Sequence, residues 1–259
     1  MKVAVSGKGG VGKTLIAGGL AVALAKKGFK TIAIDADPSP NLALTLGLSP
    51  EEANRIVPIS ENKELIEAKT GTGYAGVYRL TFTVDDIVRN YAVMTPLGVN
   101  LIVMGTVRSV GAGCTCPANA VVRLLLRHLV VERDEAVVLD MEAGVEHMGR
   151  GTAQHVDVML VVVNANMKAL ETAKRIHELG AKAGIKRILL VGNKIESPIQ
   201  KGVIERFASK NGLKVLDYLP FDQKVVEAEM QGTTPLTRED SAAVKAIERL
   251  RDKLLQGNT

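Results

Sequence analysis

Tryptophan is absent, and aromatic residues make up only 3% of the 259 residues. A chain this poor in flat side chains is badly equipped to stack nucleobases, so single-strand nucleic-acid binding is an unattractive reading. Charge of one sign is not concentrated either. The formal net charge is +5, acids and bases are interleaved, and no run of five like charges occurs. That pattern describes a solvated surface and argues against a nucleic-acid footprint. Long apolar runs are missing too: residues 158–163 are strand-length and far too short to span a bilayer. The first ten residues, MKVAVSGKGG, enter a glycine-rich loop at once and do not read as a secretory signal. The expectation is a cytoplasmic protein with neither nucleic acid nor membrane as a partner. In that compartment a pair of nearby cysteines seldom forms a structural disulfide.

Val, Leu, Ala and Ile dominate instead, within 46% hydrophobic and 24% charged residues. Short apolar runs alternate with helical patterns along the chain. Strands are expected at 3–6, 31–34, 99–104, 136–139, 158–163, 187–191 and 214–216. Helices are expected at 13–27, 118–131, 169–183, 199–211, 223–231 and 240–255. Continuous apolar strands alternating with helices predict an α/β fold, a doubly wound, mostly parallel sheet flanked by helices. Residues 49–95 break the alternation with a charged stretch, a Gly/Thr/Tyr-rich turn at 70–78 and a helix near 85–91. They read as an elaboration between the second and third strands, within a single domain spanning 1–259.

Gly7-Lys8-Gly9-Gly10-Val11-Gly12-Lys13-Thr14 follows the first strand and opens a helix. This is the P-loop spacing. The glycines let successive backbone N–H groups converge on phosphate oxygens at a helix N-terminus. Lys13 then neutralises the outer phosphates and the Thr14 hydroxyl is a Mg²⁺ ligand, so ATP or ADP with Mg²⁺ is the expected ligand of Gly9 to Leu15. Asp35 and Asp37 end the second strand, where paired carboxylates can position an attacking water or metal-bound waters. Either could instead cap the turn before Pro38. Asp140 ends a later strand, in the place of an aspartate holding Mg²⁺ through water, and Gly144 supplies a flexible point just after it. Asn193 and Lys194 end another strand. They could open a guanine-reading N-K-x-D box, but Glu196 does not satisfy it, which favours adenine.

The only two cysteines are Cys114 and Cys116, in G-A-G-C-T-C-P. Flanked by glycine and proline, they are poorly explained as core filler. A C-x-C pair supplies two thiolates of the four a tetrahedral soft-metal site wants, and a twofold dimer would complete the set. A buried or redox-active pair is the alternative. His147 and His155 flank the segment after Asp140 and read as ordinary solvent-facing or satisfied histidines.

The second lysine of K-G-G-V-G-K-T resembles the deviant P-loop of the MinD/ParA/nitrogenase-iron-protein class. That resemblance implies a MinD-like P-loop fold and a homodimer in which Lys8 reaches the partner's nucleotide. It also implies that the first aspartate switch assists hydrolysis, and that Asn193 and a loop containing Leu219 and Pro220 contact the purine. The C-T-C-P run and D-M-E-A-G-V-E-H-M-G-R-G-T at 140–152 are more specific. Together with the P-loop they are similar to the carbon monoxide dehydrogenase accessory ATPases of the CooC kind. This implies a nickel-insertion ATPase with carbon monoxide dehydrogenase as client, and Cys114 and Cys116 binding nickel, or zinc in the same site. An iron–sulfur-carrying ATPase, a MinD/ParA-type positioning ATPase and a scaffold without hydrolysis are the alternatives.

Overall fold

The computed structural model describes residues 1–37, 41–74, 77–79, 82–105, 117–132, 135–141, 153 and 155–257. Among them, eight strands form one sheet. They are β1 (Lys2–Gly7), β2 (Thr31–Ala36), β3 (Val93–Met94), β4 (Asn100–Val103), β5 (Ala136–Met141), β6 (Val158–Val163), β7 (Ile188–Ile195) and β8 (Val215–Pro220). The order is β3-β4-β2-β5-β1-β6-β7-β8, and only the β3–β4 pair is antiparallel.

The apolar strands are buried on both faces, and alternation along each strand divides the core into two layers. Ala4, Ile32, Ile34, Val137 and Leu139 face one layer; Val3, Val5, Ala33 and Val138 face the other. Among the described residues, eight helices precede β8 and cover the two faces or decorate the P-loop side. They are α1 (Lys13–Lys26), α2 (Leu42–Thr45), α3 (Pro50–Arg55), α4 (Lys63–Thr70), α5 (Asp85–Tyr91), α6 (Pro117–Arg127), α7 (Met167–Lys182) and α8 (Pro198–Lys210). Two more, α9 (Gln223–Met230) and α10 (Ala242–Gln256), follow β8.

Helix α1 is made of small residues because it is buried nearly all round. A Cβ on Gly19 would stand 2.7 Å from Ile247 Cδ1 of α10, so the two helices meet where α1 has no side chain. Helix α10 begins at its cap Ser241, whose Oγ accepts from the Val244 amide, slightly later than the expected 240. Helix α6 widens into a π-helical turn at His128–Glu132 instead of running on as α-helix.

The elaboration holds more order than its sequence suggests. The helix expected near 85–91 is α5, and the turn at 70–78 is pinned by a Gly71–Tyr78 bridge. Helices α3 and α4 and the short strand β3 were not expected. Ile59, Leu65, Val84 and Ile87 sit in the same apolar layer as Val137 and Leu139. Strands β7 and β8 run past the apolar stretches 187–191 and 214–216, because a register irregularity between Gly192 and Ile195 carries pairing through the polar residues.

From β1 the chain departs toward β2, and from β5 it reaches β6 on the other side of β1. Such a reversal opens a crevice at the carboxyl ends of the strands, where ligands of open α/β sheets bind. Gly7 closes β1 there, and Asp35 of β2 lies opposite Asp140 of β5 in register.

Candidate functional site

The loop between β1 and α1 is built from glycine geometry. Gly10 and Gly12 have φ of 80° and 93°, a left-handed backbone that glycine adopts without penalty. Gly9 and Gly10 have open space where a Cβ would lie. Gly12 is the N-cap of α1 and no side chain caps that end, so the first-turn amides are left for an anionic ligand. Lys8, Gly9 and Gly10 are exposed, whereas Lys13 is buried.

Asp140 is 1% exposed. Burial pushes its carboxyl up to about 6, against a hydrogen bond from the Thr14 side chain and the charge of Lys13, while Asp37 adds to the rise. Its Oδ1 has no hydrogen-bond partner among the described residues. A buried carboxylate oxygen without a partner, beside a threonine hydroxyl and a lysine, fits a hydrated Mg²⁺.

Asp35 is fully buried and serves the backbone. Its Oδ2 accepts from the Leu42 amide at 3.0 Å and its Oδ1 from the Asp37 amide at 3.2 Å. Burial pushes it up to about 7; the Leu42 amide works against this, and Asp140 adds to it. Asp35 therefore holds both ends of the segment that carries Asp37, and Asp37 itself is half-buried and near enough to perturb Asp35 and Asp140.

Beside the loop lies a cavity of about 320 Å³. Gly10, Gly12, Lys13, Thr14 and Leu15 form one wall, with Asn41 and Thr45 next to them; Asn193, Lys194, Pro220, Phe221 and Asp222 form another, closed by Val225, Val226, Glu229 and Ala243. Of the expected purine loop, Pro220 lines the cavity, but Leu219 is buried in the core and stands apart from it. Asn193 is buried, and its Nδ2 donates to the Val11 carbonyl at 2.8 Å. Lys194 Nζ donates to the Gly10 carbonyl at 3.2 Å.

Asp222 fixes the cavity's far wall. Its Oδ1 accepts from the Lys224 amide at the start of α9, and its Oδ2 accepts from Ser241 Oγ and the Ala243 amide at the start of α10. The wall residues of α9 escaped the sequence reading, although the helix starts directly at the Phe221-Asp222 turn. Cys114, Cys116, Gly144 and His147 lie outside the described residues, as does most of the 140–152 motif. His155 is exposed, and among the described residues no group of three or more His, Cys, Asp or Glu is placed to hold a metal. No described helix is long and apolar enough to cross a membrane.

Comparison with known proteins agrees with this geometry. The CobQ/CobB/MinD/ParA nucleotide binding domain matches residues 2–236. The carbon monoxide dehydrogenase accessory protein CooC of Rhodospirillum rubrum is 41% identical over 253 residues, 95% of either chain. An uncharacterized ATP-binding protein of Methanocaldococcus jannaschii is 42% identical over 253 residues, 96% of either chain. Among solved structures, a ParA family ATPase from Chlorobium tepidum superposes with a TM-score of 0.72 at 19% identity, covering 98% of each chain, a likeness of fold. With its P-loop, its parallel sheet and these relatives, the chain is an ATPase that belongs to the CobQ/CobB/MinD/ParA nucleotide-binding family, in the company of the CooC proteins.

Proposed function

We propose that the chain is a homodimeric, ATP-hydrolysing maturation factor that assists nickel insertion into carbon monoxide dehydrogenase. The observation that carries this reading is the 41% identity with CooC along 95% of both chains. The C-x-C pair of this sequence gives such a factor thiolates for its cargo.

ATP is bound with its phosphates on Gly9 to Thr14 and its base between Asn193 and Pro220. Lys13 neutralises charge on the outer phosphates. Thr14 and Asp140 would hold Mg²⁺, which when bound draws negative charge from the β- and γ-phosphates. Asp37 orients the attacking water, and Asp35 positions Asp37 through the backbone. Lys8, exposed on the loop, is free to approach the nucleotide of a second copy. Closure of two copies over ATP alters the spacing of their Cys114/Cys116 pairs, and coordination geometry then couples nucleotide state to the affinity for nickel, or for zinc in the same site.

The test is the metal content and absorption of anaerobically purified protein offered nickel, zinc, or iron with sulfide, with and without ATP. A Cys114→Ser/Cys116→Ser double variant runs alongside. One nickel or zinc per dimer, dependent on both cysteines and sensitive to ATP, is expected. A four-iron cluster per dimer would replace this reading with iron–sulfur transfer. No cysteine-dependent metal would leave an ATPase of another purpose.

A further inference from the structure

Asn193 and Lys194 are neighbours in β7, and in a regular strand their side chains would point to opposite faces. Here both reach the same loop. The register of β7 on β8 slips between Gly192 and Ile195, and Lys194 takes a left-handed backbone with φ of 57°, the one non-glycine to do so among the described residues. A lysine in that region is strained, and such strain persists where surrounding contacts hold it in place. Two hydrogen bonds hold the pair there: Asn193 Nδ2 donates to the Val11 carbonyl at 2.8 Å, and Lys194 Nζ to the Gly10 carbonyl at 3.2 Å.

Both acceptors are carbonyls of the phosphate-binding loop. A trans peptide carries its N–H opposite its C=O, so drawing the Val11 carbonyl toward Asn193 turns the Gly12 amide away from it. Gly12 is the N-cap of α1, an end that no side chain caps and where an anion can be held. The Gly10 carbonyl, held by Lys194, lies within the turn that the Val11 amide closes on the Lys8 carbonyl at 3.4 Å, a long bond that needs support.

We propose that Asn193 and Lys194 are a two-point brace that presets the phosphate cradle, so that they support nucleotide affinity through the phosphates in addition to any contact with the base. They are positioning residues acting through Val11 and Gly10. The brace rests on the reading of this site as a nucleotide site, and it assigns the pair a task that purine contact alone does not require.

A ligand without a base separates the two roles. Binding of Mg-ATP and of Mg-tripolyphosphate is measured by titration calorimetry for wild type, Asn193→Ala, Asn193→Asp, Lys194→Met and Lys194→Arg, with thermal midpoints recorded for each. Asn193→Ala removes no charge and is the decisive variant. Its affinity for tripolyphosphate is expected to fall about tenfold, for one buried hydrogen bond, and its affinity for ATP by at least as much. Asn193→Asp keeps the shape but loses the donor and should recover nothing, whereas Lys194→Arg should bind both ligands better than Lys194→Met. If Asn193→Ala loses ATP but keeps tripolyphosphate, the pair reads the base, the brace is wrong and the ATPase reading stands. Unchanged affinity for both ligands also overturns the brace. Wild-type protein that bound neither ligand would remove the nucleotide site itself, and the brace with it.

Discussion

Two residues of the site carry opposite demands, and substitutions at them separate shape from chemistry. Gly12 has no room for a side chain: a Cβ would stand 2.3 Å from Asn193 Nδ2, on a backbone with φ of 93°. Gly12→Ala should therefore weaken ATP binding by about a hundredfold or more, read by equilibrium titration, and should also lower the thermal midpoint without nucleotide, because the added methyl meets buried Asn193. Asp37, half-buried just after β2, is the residue proposed to act in the chemistry. Asp37→Ala is expected to lower kcat by about 10²- to 10³-fold with ATP affinity kept within about a factor of three, the signature of a group acting in the transition state. Steady-state hydrolysis with parallel binding measurements checks both numbers. Asp35, by contrast, was grouped with Asp37 on sequence because two carboxylates two residues apart look alike. Their difference is burial and hydrogen bonding, which spacing does not reveal: Asp35 spends both oxygens on the Asp37 and Leu42 amides.

Among the elements, β8 is the one whose outer edge is closed by side chains. Lys253 Nζ donates to the Leu216 carbonyl and Arg249 Nη2 to the Tyr218 carbonyl, both from α10. The same two cations pair with Asp217 at 3.1 and 2.9 Å. Burial works to raise the Asp217 carboxyl, but Arg249, the Tyr218 amide and Lys253 outweigh it and hold it below its ordinary value. A depressed folded-state pKa contributes stability that is present above the unfolded value and lost as pH falls through the folded one. Asp217→Asn should therefore destabilise the protein at pH 7, and the gap from wild type should narrow as pH drops below about 4. Thermal midpoints across pH 3 to 8 test this.

At this scale the sequence was readable where one signal dominated. The P-loop, the parallel strands and the large helices followed from apolar runs and glycine placement. Helix α3 was marked too, by the capping box Ser49–Glu52, but the charged surroundings hid it. What periodicity could not disclose was the slip in β7, because a register irregularity depends on the neighbouring strand. That slip is what turns Asn193 and Lys194 onto the loop. The α9 wall was hidden for a related reason, since cavity walls are assembled from elements far apart in the chain.

At the scale of the whole molecule, the proposed dimer would let the exposed Lys8 of one subunit reach the nucleotide of the other. With a non-hydrolysable ATP analogue, wild-type protein should double its mass by light scattering. Lys8→Ala should remain at the mass of one chain while still binding nucleotide. The sheet itself offers little alternative for self-association: β8 is capped by Arg249 and Lys253, and β3 at the other edge is two residues long. Strand order has a further consequence, in time rather than in space. Strands β1 and β2 are not neighbours; β5 lies between them and pairs with both. Until residues 136–141 leave the ribosome, the first two strands face a gap one strand wide, with neither side's backbone satisfied. Nascent chains shorter than that length are the ones expected to need chaperone protection.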